Sequence, residues 1–242
     1  MNDVRVREGA SPSLEAAAKK RRKAPYILTA VVVFVAIFVA AGMAFWTWHE
    51  EPSFCAAICH DPMDEYLEGY EQASGVAGRD KWGNEVSNTN AMMAVTHAAA
   101  GEDCLSCHVP SLGQQVGELG LFVSGNFYDP LDEVTLNALQ VNSGNAEGSG
   151  DQFCLKSGCH VSSDGTEITT REALTQVTED RAFNPHRWSQ HGDIPCSSCH
   201  KSHRASVMYC TACHQDAYED MPEGWVDYET GAQIEESSLG GH

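Results

Sequence analysis

Residues 196–214 read CSSCHKSHRASVMYCTACH. This stretch is the most informative in the sequence about the fold class. It contains two Cys-x-x-Cys pairs, each followed directly by a histidine, with His203 between them. Zinc binding, thiol–disulfide exchange and covalent attachment of c-type haem all use paired cysteines. Only haem attachment also requires the histidine directly after the second cysteine, because that imidazole ligates the iron.

The same arrangement recurs along the chain and accounts for all ten cysteines. Three pairs are separated by two residues, one by three and one by four. This recurrence predicts five covalently bound c-type haems, while zinc binding and redox-thiol chemistry stay open as alternatives. The five motifs are Cys55, Cys59 and His60; Cys104, Cys107 and His108; Cys154, Cys159 and His160; Cys196, Cys199 and His200; and Cys210, Cys213 and His214.

A low-spin haem iron takes two axial ligands, so five irons need five more beyond the motif histidines. Four histidines close to the motifs are the candidates, and the Met63 thioether, shortly after the first motif, is the fifth. Each could instead be an ordinary surface or packing residue. His49 and His242 are interpreted as an interfacial and a terminal residue. The four histidine candidates are His97, His186, His191 and His203.

Residues 24–48 contain no charged side chain and predict one transmembrane helix. About twenty apolar residues suffice to cross a hydrocarbon core of about 30 Å. The five basic residues at 19–23 predict a single pass through the cytoplasmic (inner) membrane, with residues 1–23 as a cytoplasmic tail and the chain after Trp48 on the outer, periplasmic side. A cleaved signal peptide is the alternative, although its apolar region is usually shorter.

Charge and composition narrow the class of partner and of fold. Residues 1–25 hold seven of the 15 Lys and Arg but only three of the 34 Asp and Glu, so the remainder is strongly acidic. An acidic surface argues against nucleic acid as a partner and suits docking to a basic patch. The predicted fold is mainly α with much irregular structure: a haem domain at 49–225, followed by a polar, loosely ordered tail at 226–242. Within the haem domain residues 169–181 predict a helix, with Thr169 and Glu172 placed as a capping box.

Two segments carry a resemblance to known families. The membrane helix, the first motif with Met63 after it, and THAAAGEDCLSCHVP at 96–110 resemble the NapC/NirT/NrfH family of membrane-anchored, quinol-oxidising multihaem cytochromes. The segment SQHGDIPCSSCHKSHRASVMYCTACHQDAYEDMPEGW at 189–225 resembles the haem domain of flavocytochrome c fumarate reductases. The matching segments cover roughly residues 20–130 and 186–225. The chain departs from the first family in having five motifs where four are usual, and in lacking a basic residue at 111–130.

The resemblance implies roles for particular residues and partners. In the NapC/NirT/NrfH family the first haem is Met-ligated beside the quinol pocket, and Met63 is the counterpart here; His97 matches a distal ligand of another haem. The resemblance also implies the membrane quinol pool as electron donor and an extracytoplasmic, flavin-containing reductase as acceptor. Glu118 and Asp129 are the nearest side chains that could take up quinol protons, although both could be plain surface carboxylates.

Three functions follow from these observations. The first is an electron-transfer subunit with quinol dehydrogenase activity, which serves anaerobic respiration without itself being the terminal reductase. The second is a haem wire that has no quinol site of its own. The third is a reductase of a small oxyanion, which would need an iron with an open distal position, whereas the ligand count nearly saturates five irons.

Overall fold

A computed structural model describes residues 13–59, 63–126, 151–187, 191–192 and 194–239. The predictions for His60, for Asp129 and for residues 1–12 lie outside these ranges. The chain divides after His49 into two compact units.

The first unit is a long apolar helix. Helix α1 runs over Ser13–His49. Its segment Pro25–His49 is long and apolar enough to cross a membrane, and none of that segment is buried inside the protein. Exposed Val, Ile and Phe side chains on every face of a helix are stable only in a hydrocarbon environment or against other apolar surface. The helix extends beyond the predicted residues 24–48 at both ends.

The second unit is built from short helices and very short strands, as expected for a mainly α fold with much irregular structure. The helices and strands are α2 (Pro52–Cys59), α3 (Asp64–Glu71), β1 (Gly78–Arg79), β2 (Glu85–Val86), α4 (Met93–Ala99), α5 (Cys104–Cys107), α6 (Leu112–Ser124), α7 (Asp151–Cys154), α8 (Arg171–Val177), α9 (Cys196–Cys199), β3 (Val207–Met208), β4 (Val226–Asp227) and α10 (Tyr228–Leu239). Single 3₁₀ turns lie at Thr89–Ala91, Tyr209–Ala212 and Gln215–Tyr218. Strands β1 and β2 pair antiparallel, and β3 and β4 pair parallel.

The segment at 201–208, which bends at 202–204 and ends in β3, is hydrogen-bonded to several parts of this unit. Its backbone carbonyls accept hydrogen bonds from the N–H groups of Lys81, Met93, Ala94 and Val226, each 2.9–3.0 Å long. The buried side chains around it form a small apolar core: Val86, Ala91, Met92, Val95 and Ala205, with Trp225 and Val226 packed against them. Since the segment follows the fourth motif directly, this core fixes the positions of the histidines at its start.

The predicted loose tail at 226–242 is wrong for residues 226–239. Val226 pairs with Val207 in the parallel strands, and α10 follows directly. Gly231 lets the helix approach closely, because a Cβ there would lie 2.7 Å from Val207 Cγ2. Glu235 then binds the buried Arg204 guanidinium at 3.0 Å. The segment folds because β3 offers it a partner, which its polar composition does not reveal.

Helix α8 is also shorter than predicted and begins one residue later. Its N-cap is Thr170, whose hydroxyl accepts a hydrogen bond from Ala173 N–H, in place of the predicted Thr169. Thr178 follows the last helical residue, and its hydroxyl turns back to the Leu174 carbonyl and towards His186. The helix therefore ends where its chain turns to place that histidine.

Candidate haem-binding site

Three of the motifs share one backbone turn. The N–H of the motif histidine donates to the carbonyl of the first cysteine: His108 to Cys104 at 2.8 Å, His200 to Cys196 at 2.9 Å, and His214 to Cys210 at 2.9 Å. This is the i to i−4 bond of a single helical turn. It brings both thiols and the imidazole to one side of the turn, as attachment to a single haem requires.

The second motif turn is further stabilised at its start. The Asp103 carboxylate accepts a hydrogen bond from Ser106 N–H at 2.9 Å, which makes it the N-cap of α5. A side-chain cap of this kind stabilises a helix end by about 1 kcal/mol. The cap therefore favours the turn even in a helix of only four residues.

The third motif has a longer loop between its two cysteines and a different backbone conformation. Cys154 closes α7, and four residues separate it from Cys159. Gly158 has φ of +87°, a left-handed conformation that costs glycine little. The His160 carbonyl then accepts from Ile168 N–H at 2.8 Å. The longer loop is accommodated by this glycine turn.

His108 of the second motif faces His203. Their ring centroids lie 6.3 Å apart with an interplanar angle of 26°. Burial, together with the charges of His108 and Lys81, lowers the pKa of His203 to about 3, so its imidazole is neutral at pH 7. Its Nδ1 is buried and has no hydrogen-bond partner within the described residues. A neutral ring is the form that ligates a metal.

His160 of the third motif faces His97, with ring centroids 6.2 Å apart. His97 Nδ1 lies 2.7 Å from the Met93 carbonyl oxygen. Because a carbonyl oxygen only accepts, Nδ1 carries the proton and Nε2 keeps its lone pair for a metal. Partial desolvation and the neighbouring His97 lower the pKa of His160.

The histidine of the fifth motif also faces another histidine. The ring centroids of His214 and His191 lie 5.9 Å apart, and Phe183 packs 5.4 Å from His214. Burial and then the charges of His186, His160 and His97 lower the pKa of His200 to about 4. Three of the predicted histidine candidates, His97, His191 and His203, thus lie beside a motif histidine.

These separations fit a haem iron between the rings. A metal–imidazole bond of about 2 Å, plus about 1.1 Å from nitrogen to ring centre, places two rings on opposite sides of one metal about 6.2 Å apart. The ring centroids lie 6.3 Å apart for His108 and His203, 6.2 Å for His160 and His97, and 5.9 Å for His214 and His191. None of the nine cysteines whose side chains are described forms a disulfide, so the thiols are available for attachment.

The first motif is described only in part. Cys55 lies on α2 and is half-buried, and Met63 directly precedes α3. Helix α6 packs against α2 and carries Glu118. Partial desolvation raises the pKa of the Glu118 carboxyl, and Glu118 is itself among the charges that raise the pKa of Cys55.

Motifs that are consecutive in the sequence also lie close together in the structure. The Lys156 ammonium of the third motif donates to the Ser106 carbonyl of the second at 3.3 Å. The thiols of Cys154 and Cys196, which begin the third and fourth motifs, form a hydrogen bond that raises the pKa of Cys196 and lowers that of Cys154. With haem attached these sulfurs would be thioethers, which have no S–H to donate. The hydrogen bond therefore shows only that the two motifs lie close together.

The fourth and fifth motifs are also neighbours, and so are the first and second. Tyr209 N–H hydrogen-bonds the Cys199 thiol of the fourth motif and directly precedes Cys210 of the fifth. After burial, the Cys104 thiol of the second motif is the next cause that raises the pKa of Cys55 in the first. Each motif therefore has the next one as its neighbour.

Sequence reasoning missed two aromatic residues beside these rings. Tyr66 lies edge-on to His203 at 4.8 Å, and Trp225 lies edge-on to His200 at 5.2 Å. Both come from elements distant in sequence, α3 and the loop before β4. No local pattern marks them, because their roles arise only from tertiary packing.

Comparisons with known proteins agree with this geometry. The cytochrome c3 family pattern matches residues 140–215. The cytochrome c-type protein Cgr1 of Eggerthella lenta is 53% identical over 209 residues, 86% of this chain and 89% of that protein. The acrylate reductase cytochrome subunit of Shewanella woodyi is 35% identical over 30% of this chain and 57% of its own length. The probable fumarate reductase Ifc3 of Shewanella frigidimarina is 48% identical over 16% of this chain and 7% of its own length. No solved structure matches the chain.

The motif turns and the match to cytochrome c3 define a multihaem c-type cytochrome, with haems held covalently by its cysteine pairs. The chain belongs to the same family as the cytochrome c-type protein Cgr1. Its relatives include a reductase cytochrome subunit, so electron transfer is its general role.

Proposed function

We propose that the protein is a membrane-anchored pentahaem cytochrome that takes electrons from a quinol, of the menaquinol type, and passes them to an extracytoplasmic reductase in anaerobic respiration. The anchor is α1, with its N-terminus in the cytoplasm and the haem domain outside. The observation that carries the proposal is the pairing of three motif histidines with three further histidines. His186, whose charge helps to lower the pKa of His200, is proposed as the partner of that fourth motif histidine. Met63 is proposed as the second ligand beside His60.

The protein's own residues would ligate the irons, bury the haems and hold consecutive haems next to each other. When bound, c-type haem supplies one-electron redox chemistry. With two imidazoles on an iron no coordination position would be open, which disfavours reduction of a small oxyanion at the four sites proposed to be ligated in this way. The contacts between consecutive motifs support transfer in chain order, from the first motif to the fifth.

Quinol oxidation is assigned to the first motif. Only six residues separate Trp48, at the end of the apolar segment, from Cys55. A lipid-soluble quinol would meet the protein where the chain leaves the membrane. Glu118, close to Cys55, is proposed to accept a quinol proton there, and Asp129 is proposed as a second acceptor. The resemblance to the NapC/NirT/NrfH family supports this assignment.

The electron acceptor is proposed to be a separate reductase that contains flavin. A subunit of an acrylate reductase and a probable fumarate reductase are both similar to parts of this chain. The acidic composition of the chain beyond the apolar segment suits docking to a basic face on such a partner.

Reduction by quinol in liposomes tests the proposal. The full-length protein should be reduced by a menaquinol analogue, and an inhibitor of quinol sites should block this. A fragment that starts at Glu51 should take electrons from dithionite but only slowly from the quinol. If the full-length protein ignores quinol yet is reduced by another membrane protein, it is a wire without its own quinol site.

A further inference from the structure

Helix α6 exposes its apolar side and half-buries two of its glutamines. Val116, Leu119 and Val123 follow one another at spacings of three and four residues, so they form an apolar stripe along one side of the helix. Their exposed fractions are 69%, 51% and 77%. Gln114 and Gln115, in contrast, are half-buried. A helix on the surface of a soluble domain normally shows the reverse, with its apolar side towards the core.

The side of α6 next to the apolar stripe is open as well. A Cβ placed at Gly117 or Gly120 would meet no neighbouring atom within 4 Å among the described residues. The contact of α6 within the domain is with α2, against which it packs. The exposed apolar side of α6 is therefore wider than the three side chains of the stripe.

The segment that contains α6 is almost free of charge. Since 20% of the chain is Asp, Glu, Lys or Arg, five such residues would be expected among the 25 residues 104–128, yet Glu118 is the only one. At about 100° per residue, Glu118 lies about 130° around the helix from the middle of the apolar stripe. The stripe can therefore enter hydrocarbon without taking a charge with it, which would be costly.

The covalent chain links α6 to the proposed membrane anchor through α2. Only Glu50 and Glu51 separate His49, the last residue of α1, from Pro52, the first residue of α2. Three Cα-to-Cα steps span at most about 11 Å. The start of α2 therefore stays close to the point where the chain would leave the lipid, and α6 packs on this helix.

We propose that the apolar stripe of α6 binds the outer surface of the membrane that α1 crosses, among the outer ends of the lipid acyl chains. Helices that lie in this interface often use basic residues to bind anionic headgroups. Helix α6 has no Lys or Arg, so its binding is apolar and independent of headgroup charge. The inference rests on the proposed membrane anchor. It brings the helix that carries Glu118 to the level at which a quinol arrives.

Photo-crosslinking from the lipid tests this contact in the full-length holoprotein. Liposomes of phosphatidylcholine include a small share of phosphatidylcholine with a diazirine on its acyl chain, and mass spectrometry identifies the segments linked to lipid after illumination. Both α1 and residues 112–124 should be labelled. Addition of anionic phosphatidylglycerol, or a higher salt concentration, should leave the labelling of residues 112–124 unchanged.

A double variant tests the apolar stripe itself. Val116→Gln with Val123→Gln should lower the labelling of residues 112–124 at least tenfold and leave that of α1 as it is. Glutamine is a better helix former than valine, so the helix should persist. Val76→Gln with Val177→Gln is the matched control, because both valines are 48% exposed on other parts of the domain. The control should label like the native protein, and haem content and absorption spectra check the folding of each variant.

Labelling of α1 without labelling of residues 112–124 would overturn the proposal; haem, another part of the chain or a second copy would then cover the stripe. Equal labelling of these residues in the native protein and in the Val116 and Val123 double variant would overturn it too. If α1 is not labelled either, the membrane anchor is wrong and the inference falls with it. A protein that is labelled at both helices but not reduced by quinol would contradict the proposed function alone.

Discussion

The imidazole rings of His108 and His203 lie 6.3 Å apart at an interplanar angle of 26°. One belongs to the second motif and the other to the segment at 201–208. The hydrogen bonds from Lys81, Met93 and Ala94 to this segment hold His203 in place. A long-range pair of this kind makes the fold and the haem site depend on each other.

Loss of a distal ligand should change one haem and leave the others. His203→Ala and His97→Ala should each convert one low-spin haem to high-spin, and in different haems, because the two residues face different motifs. The covalent attachments should remain, since the cysteines are untouched. Absorption and electron paramagnetic resonance spectra measure the change. His49→Ala should have no such effect, and an unchanged spectrum for either main variant would remove that residue from the ligand set.

The haem content itself is a prediction. Purified full-length protein should carry five haem mass increments after denaturation and should stain for haem peroxidase activity, because all ten cysteines fall into motifs. Intact-protein mass spectrometry counts the attached groups. A count of four in the native chain, unchanged by Cys159→Ser, would mean that the third motif is empty.

Glu118 should give quinol oxidation a pH dependence. A proton acceptor works in its ionised form, and partial desolvation raises the pKa of Glu118. The rate of reduction by quinol should therefore rise as the pH increases through this raised pKa. Glu118→Gln should slow the reaction and remove that rise while the haem content stays the same, as steady-state rates between pH 4 and 8 would show. A rate profile identical to that of the native protein would exclude Glu118 as the acceptor.

The close approach of Gly224 to Asn88 should matter for stability. Gly224 has φ of +82°, and a Cβ there would overlap the Asn88 carbonyl oxygen. Gly224→Ala should lower the free energy of unfolding by about 2–4 kcal/mol, from backbone strain plus the steric clash. Gly101→Ala is the control, since Gly101 also has a left-handed φ of +91° but has open space around it. Urea unfolding should show the smaller loss for Gly101→Ala; equal losses would mean that the contact with Asn88 contributes nothing.

The docked helix α10 gives a further test. Glu235→Ala removes the carboxylate that binds the buried Arg204 and should cost about 1–3 kcal/mol of stability. Glu236→Ala, on the exposed side of the same helix, should cost much less. Thermal unfolding of the two holoproteins makes the comparison. If both variants unfold at the native temperature, the helix does not depend on this ion pair.

The sequence was sufficient for the local part of the site. The spacing of cysteines and histidines predicts one turn per motif, and Cys104–Cys107 and Cys196–Cys199 form such turns. The apolar run predicts a helix that is long enough to span a membrane, and α1 contains one. These features depend on residues close in the chain, so a local pattern reveals them.

The tertiary part could not be predicted in the same way. The sequence named His97 and His203 as ligands but not the motif that each faces, because spacing along the chain carries no information on which distant rings meet. The position of Tyr66 beside His203 and the docking of α10 on β3 have the same origin. Both depend on the segment at 201–208, whose central role appears only in the folded chain.

Ten side chains are proposed to ligate five irons, eight of them as histidine pairs and two as His60 with Met63. Near-infrared magnetic circular dichroism of the oxidised holoprotein tests it most directly, because bis-imidazole and imidazole–thioether haems give separate charge-transfer bands. We expect a bis-imidazole band for four haems and an imidazole–thioether band for one, which Met63→His should convert into a bis-imidazole band. A spectrum without the thioether band, or with a high-spin fraction in the native protein, would contradict it.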